Sequence, residues 1–113
     1  MMMMRTRTRG GDRYAAAAQE DRSAPRTRVS LAATLDLAGE DPRPVTLHDI
    51  SLTGFSVTAT DRLAKNTRCW LTIPDVGRFE ALSVWWEPGR GAGFALEQLL
   101  DSTVLDEVVN SAR

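Results

Sequence analysis

The chain has 113 residues, a net charge of −1 and 42% hydrophobic residues, enough for one domain with a modest core. The near-neutral total hides an asymmetry: residues 1–28 hold seven Arg against three acids, whereas residues 29–113 hold twelve acids against seven Lys and Arg. An acidic body does not suit general binding to duplex nucleic acid, which needs a basic face, and no apolar run approaches the roughly 18–20 residues that span a bilayer.

Residues 1–20 open with four Met and an Arg–Thr alternation, then carry Gly10-Gly11 and Ala15–Ala18. They read as a flexible basic leader with a helical turn near 13–20, since an isolated helix this short is marginal in water. The leader has no apolar segment of the kind a secretion signal needs. The single cysteine, Cys69, cannot form an internal disulfide, and a soluble cytoplasmic protein is expected. The folded domain is expected over 21–113.

From Thr27 the pattern turns to period two, with Val29, Leu31, Ala33, Leu35 and Leu37 alternating against Ser30, Ala32, Thr34 and Asp36, which suits a half-buried strand. Gly39 to Pro44 breaks both helix and ladder and is a turn. Further strands are predicted at about 44–50, 54–60, 67–73, 78–87 and 92–98, with a polar link at 61–66 and turns at Asp75-Val76-Gly77 and Pro88 to Gly91. Six short strands at this spacing argue an all-β antiparallel barrel or sandwich, and closure into a barrel would remove exposed edges. The end differs: Val104, Leu105, Val108 and Val109 recur at helical period after Asp101-Ser102, predicting a helix at about 102–111. Asp106 and Glu107 fall in its first turn or two, where they favour the helix dipole.

Two polar motifs carry the chemistry. Arg22-Ser-Ala-Pro-Arg26 precedes the first strand, and Pro25 keeps it out of helix. In an extended segment Arg22, Arg26 and Arg28 share one side, with Arg22 and Arg26 roughly 13 Å apart at about 3.3 Å per residue. Such a pair can grip both ends of a compact bis-phosphate, and its planar forks suit phosphate or the guanine O6 and N7 edge. Equally, arginines beside a mobile leader can be simply solvated. The second motif is Asp49-Ile-Ser51-Leu-Thr-Gly54. On a strand running through them Asp49 and Ser51 share a face, offering an acceptor for guanine N–H groups and a hydroxyl, while Gly54 permits positive φ or close backbone approach. The same residues also suit an Asx- or Ser-type turn.

Together, RxxxR before the first strand and DxSxxG between the second and third, followed by small strands with VWW and GAGFAL and then a helix, resemble the PilZ domain, a bacterial family that binds cyclic di-GMP. The resemblance covers about residues 20–110 and implies a six-stranded antiparallel β-barrel with a C-terminal helix. It implies that Arg22 and Arg26 bind guanines and phosphates from a segment that orders on binding. It implies further that Asp49 and Ser51 hydrogen-bond guanine on the barrel surface and that Gly54 keeps the turn compact. Arg28 is an extra candidate contact. Asp21, beside Arg22, is expected to disfavour a second stacked ligand. The resemblance also implies a protein partner acted on in trans, on which no motif bears.

Other residues point less sharply. His48 on a strand faces away from Asp49 and Ser51, which argues against a hydrolase, and one His with one Cys cannot make an ordinary metal site. Cys69 reads as a small core residue. Of Trp70, Trp85 and Trp86, at least two are expected in the core, with Trp85 and Trp86 on opposite faces, one filling the barrel. Three functions follow: a non-enzymatic cyclic di-GMP sensor, a ligand-independent interaction adaptor of the same fold, and a barrel that stacks single-stranded nucleic acid on tryptophans.

Overall fold

The structure, a computed structural model, describes residues 25–58 and 60–113. Arg22, Asp21 and the helical turn expected near 13–20 lie outside these residues. Six strands follow in chain order: β1 (Thr27–Leu37), β2 (Arg43–Ile50), β3 (Gly54–Val57), β4 (Arg68–Ile73), β5 (Gly77–Glu87) and β6 (Gly91–Leu96), then one helix, α1 (Ser102–Ser111). They close into a barrel in the order β1-β2-β3-β6-β5-β4, every neighbouring pair antiparallel. Each half is a three-stranded meander. The link after β3 carries the chain across to β4, which pairs with β1, and β6 returns to pair with β3.

The alternation in β1 is realised: Ala33, Leu35 and Leu37 are buried while Thr34 and Asp36 between them are half-exposed. Leu47, Ile50, Val57, Leu71 and Ile73 point to the same interior from the other strands. Its centre is a stacked pair, Phe55 and Phe94, directly opposite each other on β3 and β6 with ring centroids 4.8 Å apart. Burying two such rings side by side gives both area and favourable ring geometry. Cys69 is fully buried, as expected of a small core residue.

The tryptophans differ from expectation. None is fully buried: Trp70 and Trp85 stand outside the barrel under the guanidinium groups of Arg78 and Arg90. Trp86 packs against the core from its margin and donates its Nε1–H to the Thr60 carbonyl at 3.0 Å. The two phenylalanines fill the space assigned to an indole. The helix also differs in detail. Asp101 is its N-cap by position but makes no side-chain capping bond, and the first turn holds no acid. What holds it is burial of Val108, with Val104 and Leu105 packed partly against the core.

Candidate functional site

Three bulges break the ladders, and all three adjoin one patch of the outer surface. Between β2 and β3 the register steps from Leu47 opposite Val57 to Asp49 opposite Ser56, so His48 is the extra residue. Between β5 and β6 it steps from Ser83 opposite Phe94 to Trp85 opposite Gly93, leaving Val84 extra. A third shift lies in β1 between Arg28 and Leu31. Bulges re-aim side chains where a surface must be shaped. The β5 bulge is tied down by the neighbouring link: Ser83 Oγ donates to the Ala64 carbonyl at 2.6 Å and accepts from the Thr67 N–H at 2.9 Å.

The result is a transverse row on the outer face. Arg28 pairs with Asp49, Asp49 with Ser56, Ser56 with Gly93, and Gly93 with Trp85, crossing five strands in the order β1, β2, β3, β6, β5. At about 4.8 Å per strand the row spans roughly 19 Å. A cleft of about 370 Å³ follows it, lined by Arg26, Arg28, His48, Asp49, Ser56, Trp85 and Arg90 among others.

Asp49 is the hub of the cleft. Its Oδ2 accepts from Ser56 Oγ at 2.8 Å, and its Oδ1 accepts from an Arg26 guanidinium N–H in an ion pair. The carboxylate is thus held between two donors and retains lone pairs for further ones. Arg28, Arg90 and His48 add donors along the walls. Gly93 forms the floor beneath Trp85: a Cβ there would stand closer than 3.0 Å to indole Nε1, Cε2 and Cδ1, so the missing side chain is what seats the ring.

Ser51 is placed otherwise than the period-two reading holds. It lies past the end of β2, fully buried, and does not share Asp49's outward face. Its Oγ accepts from the N–H groups of Thr53 and Gly54, both at 3.2 Å, and its own N–H donates to the Gly54 carbonyl at 2.9 Å. The hydroxyl therefore braces the β2–β3 turn, as the Ser-turn alternative describes. Gly54 begins β3 opposite Ala95 and is not among the positive-φ glycines, so its place rests on the tight turn and not on a left-handed backbone. His48, expected to face away from Asp49, joins it on the cleft wall because the bulge cancels one step of alternation.

Of the candidate residues read from the sequence, the cleft brings together Arg26, Arg28 and Asp49. It adds His48, Ser56 and Arg90, which the sequence does not single out as contacts, and Trp85, which the sequence offers only as one of three candidate stacking surfaces. Ser56 and Gly93 become visible only through pairing register, which a single sequence does not print.

The PilZ domain sequence profile matches residues 20–107, nearly the whole of the chain from the arginine motif into the helix. The chain belongs to the PilZ domain family. Among solved structures, the barrel is similar to the crystal structure of the PilZ domain of CeSA from a cellulose synthesizing bacterium, with a TM-score of 0.53 and 17% identity over 79% of this chain and 95% of that one. At that identity the likeness speaks for the fold alone. No curated protein matches the chain significantly. PilZ domains form a family of cyclic di-GMP receptors, generally without catalytic activity. Among the described residues of this PilZ domain there is no cluster of three metal-ligating side chains, and no helix is long and apolar enough to cross a membrane.

Proposed function

We infer that this PilZ domain is a non-enzymatic sensor of cyclic di-GMP that takes the ligand along the outer row from Arg28 to Trp85. The observation that carries the reading is the row itself: cations, a fixed carboxylate and a half-buried indole seated over Gly93, laid across five strands along one cleft. Asp49 accepts guanine N–H groups, and Ser51 and Gly54 hold the turn that presents it. Arg26 trades its ion pair with Asp49 for phosphate or for the guanine edge, and Arg22 joins it as the segment folds onto the barrel. Charge-assisted bonds of this kind are strong enough to offset the ordering of a short segment. The folded segment changes the surface offered to a protein partner, acted on in trans.

Calorimetry tests the reading directly. Binding of cyclic di-GMP is expected in the wild type, weakened about tenfold or more in Arg22→Ala, Arg26→Ala and Asp49→Ala, as loss of a bond to a charged group worth about 1.5–3 kcal/mol implies. An amide NMR titration should show residues 20–28 shifting together with β2 and β3.

A second reading has two observations in its favour. Both Asp49 oxygens are engaged and the Ser51 hydroxyl is spent within its turn, as suits an adaptor that works without ligand. A wild type that takes up no cyclic di-GMP supports that reading over the first.

A further inference from the structure

Arg90 sits at the end of the β5–β6 turn. Its N–H donates to the Glu87 carbonyl at 3.1 Å, with Pro88 and Gly89 between them and Gly89 at φ +76. Pro followed by a positive-φ glycine is the pattern of a type II turn, so the backbone at Arg90 is firmly placed while its side chain is not. That side chain has 68% of its surface exposed and makes two contacts at the molecular surface: an ion pair with Glu87 at 2.9 Å, and a stack over Trp85 with the guanidinium carbon 4.9 Å from the ring centroid. Both kinds of contact are weak when solvated.

We propose that Arg90 is a further ligand-binding residue, a latch parked on Trp85 and Glu87 that transfers to a ligand phosphate when the cleft fills. This rests on the reading of the cleft as the cyclic di-GMP site. Three features carry it. Arg90 supplies a cation at the β5 end of the row, opposite Arg26 and Arg28 at the β1 end, so a bis-phosphate lying along the row meets positive charge at both ends. In the parked position its guanidinium covers the indole, which is otherwise the flat apolar surface in the cleft best suited to a purine. Release of the latch therefore uncovers a stacking face and delivers a charged donor in one movement. Finally, a bidentate Arg–phosphate contact is stronger than either contact that it replaces, which gives the exchange its direction. Gly93 leaves the room in which the indole sits beneath the parked guanidinium.

The test is calorimetry of the full chain with cyclic di-GMP for the wild type, Arg90→Ala, Arg90→Lys and Glu87→Gln, read together with the Trp85 indole N–H signal by NMR. Arg90→Ala is expected to weaken binding about tenfold and Arg90→Lys less, since it keeps the charge without the fork. Glu87→Gln should tighten binding about twofold by loosening the parked state. The Trp85 signal should move on titration of the wild type. An Arg90→Ala protein with wild-type affinity overturns the latch and leaves the cleft as the binding site. A wild type that takes up no ligand overturns the reading of the cleft, and the latch with it.

Discussion

Gly93 and Trp85 face each other across β6 and β5, and the indole occupies the space in which residue 93 would carry a side chain. Replacing Gly93 by Ala therefore evicts the ring while leaving the ladder paired. The expected result is binding of cyclic di-GMP weakened about tenfold, in line with the roughly 1–3 kcal/mol that a base–aromatic stack contributes. A displaced Trp85 indole N–H signal should accompany it. Unchanged affinity with a displaced indole would show that the ring is no part of the site.

Asp49→Asn keeps the size of the side chain and removes its charge. The Arg26 partner is partly exposed, so the ion pair adds little to stability, and thermal unfolding should shift by only a few degrees. Ligand affinity should fall at least tenfold, because a bond to a charged acceptor is lost. Thermal shift and calorimetry on the same sample separate the two effects.

Ser51→Ala should behave in the opposite way. Removing its hydroxyl strips an acceptor from the buried N–H groups of Thr53 and Gly54, at a cost of about 1–3 kcal/mol. At about 4–8 °C per kcal/mol for a domain of this size, the melting temperature should drop clearly. A variant with wild-type melting and poor binding would instead make the hydroxyl a ligand contact.

Cys69 is pushed up from its ordinary 9.0 to about 12, first by desolvation on burial and to a lesser degree against the lowering influence of Arg43. The folded state thus holds the thiol neutral where the unfolded state ionises it. Stability from this source is complete below pH 9 and declines as pH rises toward 12. Cys69→Ser or Cys69→Ala should flatten the alkaline limb of a stability–pH profile. In the native protein the thiol should resist iodoacetamide at neutral pH and react once the chain is unfolded.

Much of the fold is legible in the sequence, because β1 alternates strictly and the turns at Pro42, Pro74 and Pro88 punctuate the strands. The helix is legible too, from Val104, Leu105, Val108 and Val109. Arg26 and Asp49 stand out as candidates by their chemistry, as charged groups beside a strand-and-turn boundary, and the fold brings the two together. What period-two counting cannot supply is register. A bulge at His48 shifts every later assignment in β2 by one face, and the strand stops at Ile50 before Ser51 can follow Asp49 outward. Val84 does the same in β5 and turns Trp85 toward the cleft. The interior aromatics were likewise decided by pairing: Phe55 and Phe94 oppose each other, a fact with no trace in their separate neighbourhoods.

The ring of six strands has one more consequence. With β4 hydrogen-bonded to β1 over Thr34–Leu37, the described strands form a ring without a terminal strand, so along that seam a visiting peptide finds no open ladder to extend by strand addition. At that seam the barrel presents side chains and not free backbone, so recognition there would run through side-chain chemistry.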